Sequence, residues 1–228
     1  TVSAIAGSGS VTTLTVGGHP EFIYVNPGSG DTYAYGTDYG TTGPPYVERI
    51  SVINSAEKVV KNLTVHSITS ALANLFGYDP ATKNSYFVGL NDTTGKSYLI
   101  VISSANAVSA TISLGKGAFT FANYDPANGD MYVTSLSNSI VVVSGTTVAK
   151  TLKVTQNVTL MIYDPTLKDM VGAGDVNQTT VSTLFFVSST NAVSSITAGK
   201  YAIAAFYDPK DAYVYVVNIG SKNVELVG

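Results

Sequence analysis

The 228-residue chain has no cysteine, no tryptophan and only two histidines, His19 and His66. Without cysteine there can be no disulfide and no thiolate metal centre, although the compartment stays open. Charge is scarce as well: Asp, Glu, Lys and Arg together supply 12% of the residues, about half the usual share of a soluble domain. The net charge is -3, the isoelectric point is near 5.2 and no basic run occurs, so the electrostatic footprint of a nucleic-acid binder is missing. No apolar run approaches the ~20 residues of a membrane helix, so no membrane span is expected.

Catalytic signatures are missing too. There is no G-x-S-x-G elbow, P-loop, dinucleotide fingerprint or H-E-x-x-H pair. Ser55-Ala56-Glu57-Lys58 matches S-x-x-K formally, but it falls in an expected turn with no companion motif. Glu21, Glu48 and Glu57 are scattered and do not read as a glycosidase acid and base. The expectation is a non-enzyme with no catalytic residue, no cofactor and no metal.

What the chain does have is a phrase repeated five times. It reads Val25-Asn26-Pro27, Tyr78-Asp79-Pro80, Tyr124-Asp125-Pro126, Tyr163-Asp164-Pro165 and Tyr207-Asp208-Pro209, with the prolines 53, 46, 39 and 44 residues apart. A period of that size marks a repeat architecture. With 45% hydrophobic residues, 15 Tyr, 8 Phe and many Val, Ile and Thr, the chain favours strands.

The third repeat shows the plan most clearly. Phe119 to Tyr124 reads as a strand, and Asp125-Pro126-Ala127-Asn128-Gly129 as a turn in which Asp accepts from the following backbone and Pro presets φ. Met131 to Thr134 is a second strand, and Ile140 to Val143 a third, apolar throughout and so buried on both faces. Val148 to Val154 alternates as a fourth. The other repeats follow this order, and the first carries an insertion, Thr37 to Val47, containing Pro44-Pro45. The fifth repeat has three such segments, while Val11 to Val16 at the other end resembles a fourth strand such as Thr151-Leu152-Lys153-Val154. The pattern predicts a single domain over residues 1–228: a five-bladed β-propeller of four-stranded antiparallel blades. Residues 1–10 are read as a flexible Gly/Ser-rich segment, and residues 11–16 as a strand that completes the last blade of its own chain or of a neighbour.

Tyr132-Val133-Thr134-Ser135 and Tyr213-Val214-Tyr215-Val216-Val217-Asn218, set after Asp-Pro turns, resemble the YVTN-type β-propeller repeat, as does Thr15-Val16-Gly17-Gly18-His19-Pro20 leading into a blade. The resemblance covers nearly the whole chain. It implies a propeller fold and an extracellular or surface-layer setting of archaeal type, and says little about activity. The chain has few full Tyr-Val-Thr-Asn matches, and five repeats where that family more often has seven.

Several residues invite a functional reading. The repeated Asp79, Asp125, Asp164 and Asp208, with Asn26, could ring a channel mouth and bind Ca²⁺; the plainer reading is an Asx turn repeated because the blade is repeated. His19 and His66 each precede an innermost strand and belong on one face, a possible binding face with Tyr39 and Tyr46, but two histidines alone do not make a metal site. Tyr33, Tyr35, Tyr39 and Tyr46 cluster around the longest loop, either exposed for a glycan or protein or alternating into the core. Asn62, Asn91, Asn157 and Asn177 head N-x-[ST] sequons and are glycosylation candidates. The chain starts at Thr1, which fits either removal of a signal or a trimmed chain. These signs together predict a secreted, cell-surface structural or adhesion protein that self-assembles through its terminal strand or blade faces, as in a surface layer or filament. The alternatives are a glycan- or protein-binding propeller and, behind it, a propeller hydrolase.

Overall fold

The computed structural model describes residues 1–5, 10–38, 47–65, 70–174 and 181–228. Within them the chain is all strand and turn, and no helix is long and apolar enough to cross a membrane. It divides into two compact units, Thr1–Lys116 and Gly117–Gly228.

The first unit opens with β1 (Val2–Ile5) and β2 (Val11–Leu14), an antiparallel ribbon. Two four-stranded antiparallel sheets follow. The first is β3 (His19–Val25), β4 (Thr32–Asp38), β5 (Val47–Ile53) and β6 (Val59–Val65); the second is β7 (Ser70–Asp79), β8 (Asn84–Asn91), β9 (Lys96–Ile102) and β10 (Val108–Lys116). Each sheet is a meander in which consecutive strands pair. In the second unit β11 (Phe119–Asp125), β12 (Asp130–Ser135), β13 (Ser139–Ser144) and β14 (Thr147–Lys153) form one four-stranded sheet. The next is β15 (Val158–Asp164), β16 (Asp169–Gly174), β17 (Val181–Ser188) and β18 (Val193–Lys200), and the last, three-stranded, is β19 (Ala202–Asp208), β20 (Tyr213–Asn218) and β21 (Asn223–Val227).

The expected strands appear in the expected order, and the second and third of each four-stranded sheet are the buried ones. Met131, Tyr132, Val133, Ile140, Val141, Val142 and Val143 are all within 3% exposure, so β12 and β13 are covered on both faces. The fourth strands face outward; β14 is buried only at Leu152. In the first unit Tyr33, Tyr35, Ile50, Val52, Leu63 and Val65 pack against Phe87, Ile100 and Ile102 of the second sheet. In the second unit Tyr132, Ile140, Val142 and Leu152 pack against Met161, Met170, Phe185 and Val187. Tyr33 and Tyr35, placed around an exposed aromatic loop as one reading, instead belong to this core.

Val11–Leu14 pairs antiparallel with Val2–Ile5, inside the segment expected to be flexible. The reason is local: the ribbon bonds its own backbone edge, and Leu14 and Val16 find an apolar bed in Val2, Ala34, Ile53 and Val59. The described residues show six sheets of four, three or two strands.

Candidate functional site

Every repeat turns on the same corner. The Oδ1 atoms of Asn26, Asp79, Asp125, Asp164 and Asp208 accept from the backbone N–H two residues on, at 2.7–2.8 Å: from Gly28, Ala81, Ala127, Thr166 and Lys210 respectively. This is the Asx turn. The residue four after each Asx, namely Gly30, Lys83, Gly129, Lys168 and Ala212, has φ between 58° and 80°. Three of these are not glycine, so the fold imposes a left-handed residue there against the ordinary preference. The repeated carboxylates thus hold up their own turns. Among the described residues, no three His, Asp or Glu side chains converge as metal ligands.

A second recurring device joins neighbouring sheets within each unit. Tyr33 Oη on β4 donates to Asn106 Oδ1, in the β9–β10 turn, at 2.7 Å. Tyr132 Oη on β12 donates to Asn191 Oδ1, in the β17–β18 turn, also at 2.7 Å. Each phenol oxygen also accepts from an amide, Asn26 Nδ2 at 3.1 Å in one unit and Asn128 Nδ2 at 2.8 Å in the other. Asn106 and Asn191 sit at φ 53° and 62°, so a residue tolerant of that region is needed as well as an acceptor. Burial raises both phenol pKa values, that of Tyr132 to about 12, so both remain donors. The sequence reading missed this latch, yet a signal exists: Ser103-Ser104-Ala105-Asn106-Ala107-Val108 and Ser188-Ser189-Thr190-Asn191-Ala192-Val193 are near copies.

At the other end of the first sheet lies an acidic cluster. A register shift between Pro20 and Phe22 sets Glu21 at a bulge, and Thr37 is directly opposite Glu48 across β4–β5. Thr37 Oγ1 lies 2.9 Å from Glu21 Oε1 and 2.8 Å from Glu48 Oε1. Glu48 is fully buried, with the buried Tyr35 hydroxyl beside it. Burial raises the Glu48 pKa most. The Thr37 and Tyr35 hydroxyls pull it back, and the charges of Glu21 and Asp92 push it up again. No motif marked these residues: the sequence shows Glu21 and Glu48 as scattered acids, and only strand register unites them.

His19 is exposed at the start of β3, in register with Thr37. His66, Tyr39, Tyr46 and the sequon Asn177 lie outside the described residues, so no joint binding face can be drawn from His19 alone. Asn62 is exposed on the outermost strand β6, where its Oδ1 accepts from Ser51 Oγ at 2.6 Å. Asn91 and Asn157 are half-buried, and their Oδ1 atoms accept backbone N–H groups of Thr94 and Asn138. An apolar groove of about 320 Å³ runs between the β1–β2 ribbon and the first sheet, lined by Val2, Leu14, Ile23, Val25 and Ile53 with Glu57 at its rim. Its lining includes Ile23 and Val25 of β3 but not His19.

No protein-family model matches the chain, and no curated protein does. Solved structures do. The Dos1 propeller is similar at a TM-score of 0.68 and 9% identity over 94% of this chain and 59% of that one. The hydrazine synthase of Kuenenia stuttgartiensis is similar at 0.63 and 13% identity over 90% of this chain and 56% of that one. The chain therefore spans under three fifths of the length of either. At these identities the likeness speaks to the fold, which is that of a β-propeller.

Proposed function

We propose that this chain is an extracellular, non-enzymatic structural or adhesion module built on a five-bladed propeller of the YVTN-repeat type, glycosylated and displayed at an archaeal cell surface as a subunit of a layer or filament. One observation carries the reading: the polar groups that recur with the repeat are engaged in the scaffold itself, as Asx turns and Tyr–Asn latches. The outermost strands support it. They present Ser, Thr, Asn and Lys with few acids, as in Lys150-Thr151-Leu152-Lys153 and Val193-Ser194-Ser195, a low-charge exterior suited to close packing of copies or to a glycan coat. Asn62, exposed on such a strand, is the attachment point best placed for a glycan.

Negative-stain electron microscopy with light scattering of the native protein tests this. Filaments or lattices that dissolve only on denaturation are the expected result; a compact monomer near 23.7 kDa would count against assembly. The groove beside the ribbon favours a second reading, a module that binds a partner protein through an apolar segment. Partner binding retained by an isolated monomer would select it.

A further inference from the structure

We propose that the outward face of the last sheet, at Tyr215, Val224 and Leu226, docks into the apolar groove beside the β1–β2 ribbon of a second copy of this chain. This rests on the self-assembling module put forward above and gives that assembly its two surfaces.

The repeat carries its own rule for covering such a face. Three junctions between neighbouring sheets lie within the units, and all three use the same positions counted from the Asx corner. On the giving sheet, the second-strand residue seven after the Asx enters the junction with its cross-strand neighbour on the third strand. The pairs are Tyr33 with Val52, Tyr132 with Val142, and Val171 with Phe186. The third-strand residue two before that neighbour joins them: Ile50, Ile140 and Leu184. On the receiving sheet, the third-strand residue opposite the position six after the Asx packs against this set: Ile102, Val187 and Val227. The residue three before the Asx does so as well, Met161 in the fourth sheet and Ala205 in the last.

The last sheet has the giving set and leaves it open. Seven after Asp208 is Tyr215, its third-strand neighbour is Leu226, and two before that is Val224. Leu226 is 56% exposed and Val224 49%, whereas their counterparts Val142 and Ile140 are at 0%. Phe206 stacks on Tyr215 with ring centroids 5.1 Å apart and planes 2° from parallel, so the face is presented in order. An apolar patch of this kind on a low-charge chain marks a contact surface.

The first sheet has the receiving set. Three before Asn26 is Ile23, six after it is Thr32, and opposite Thr32 is Ile53. Ile23 is 55% exposed, whereas its counterpart Met161 is at 1%. Fourth-strand leucines, Leu63 and Leu152, join two of the internal junctions; on the first sheet Leu14 of the ribbon lies against Ala34 and Ile53. What stays empty is the groove of about 320 Å³, which among the described residues has Leu14, Ile23, Thr32 and Ile53 in its wall. It lacks the three side chains that the last sheet holds out.

Giving and receiving surfaces differ, so the contact is heterologous. Each copy gives with its last sheet and receives with its first, and copies add head to tail. The gain is the removal of exposed apolar side chains from water on both sides.

The cysteine-free chain makes the test clean. Ile23→Cys and Leu226→Cys, both at exposed positions, are purified reduced, mixed, oxidised and run on a non-reducing gel. The mixture should give a cross-linked dimer well above either variant alone, and a chain carrying both substitutions should give a ladder of multiples. Three results would overturn the proposal: no excess in the mixture, a dimer from Leu226→Cys alone, or a doubly substituted chain cross-linked only within itself. Light scattering of the native chain separates this from the wider reading. Native assemblies whose mixture fails to cross-link would sink these two surfaces and leave self-assembly standing, while a native monomer with only an internal cross-link would sink both.

Discussion

Asn26 and Asp125 hold the same corner in two different sheets, and only one has all its atoms partnered. Asn26 is 1% exposed; its Oδ1 accepts from Gly28 N–H and its Nδ2 donates to Tyr33 Oη. Asp125 is 0% exposed; its Oδ1 accepts from Ala127 N–H, but its Oδ2 is buried with no hydrogen-bond partner among the described residues. In the second unit the phenol of Tyr132 is served by Asn128 instead, so the carboxylate finds no donor there. Burial and the nearby charges of Asp130 and Asp169 raise the Asp125 pKa, while backbone N–H groups of Ala127 and Asn128 lower it in part. The turn needs one oxygen acceptor; whether the other atom is N–H₂ or O⁻ decides how the corner responds to pH. Burial thus raises a carboxyl pKa in both units, at Glu48 in one and at Asp125 in the other.

The comparison breaks first at two glycines. A Cβ on Gly36 would strike the backbone carbonyl of His19, with Pro20 Cα at 2.8 Å; one on Gly174 would strike the carbonyl of Asn157, with Phe185 Cε2 at 3.0 Å. Neither facing strand can yield without losing its ladder. Gly36→Ala and Gly174→Ala should each cost about 3 kcal/mol or more by denaturant unfolding, and a clear inequality would show that the two units do not share this close approach.

The latches come next. Asn106→Gly and Asn191→Gly keep the left-handed turn and remove the phenol's acceptor; Asn106→Gly also removes the bond its Nδ2 donates to Asp31 Oδ2 at 2.9 Å. A loss of about 1 kcal/mol or more is expected in both, and Tyr33→Phe or Tyr132→Phe, which also orphans the Asn26 or Asn128 amide, should cost about 1 kcal/mol less once its Asn is gone. Additive losses in that double-mutant cycle would deny the pairing.

The smallest effect sharpens the comparison directly. Asp125→Asn should stabilise by about 1 kcal/mol at neutral pH, because the new amide can donate where the carboxylate could not. A raised folded pKa makes that gain vanish as pH falls through the carboxylate range. Asn26→Asp should do the reverse. Unfolding midpoints at neutral and acid pH check both, and a gain for Asp125→Asn that persists in acid would point to a cause other than ionisation.

Much of the fold was legible because its signals are local. The Asx-Pro phrase fixes the first turn of every repeat, and the Ile140–Val143 run fixes a doubly buried third strand, both within a few residues of sequence. The features that escaped depend on register between strands or contact between sheets. Glu21 meets Thr37 only because a bulge turns it, and Glu48 only because Thr37 is its cross-strand partner. Tyr33 and Asn106 are 73 residues apart. Val11–Leu14 has the pattern of an outermost strand, but a pattern names the kind of neighbour and not which strand provides it; Val2–Ile5, hidden beside the Gly/Ser run, does so. The histidine face drew on His66, Tyr39 and Tyr46, outside the described residues, and its remaining member His19 does not line the apolar groove.

The central claim is that the repeated carboxylates serve the scaffold and not an ion. Thermal unfolding of the native chain with added calcium, at about 10 mM, and then with chelator tests it most directly, since even weak extracellular calcium sites are filled at that level. The account predicts the same midpoint in both. A midpoint that rises with calcium and returns with chelator would contradict it, and would make the Asp-Pro corners a binding site.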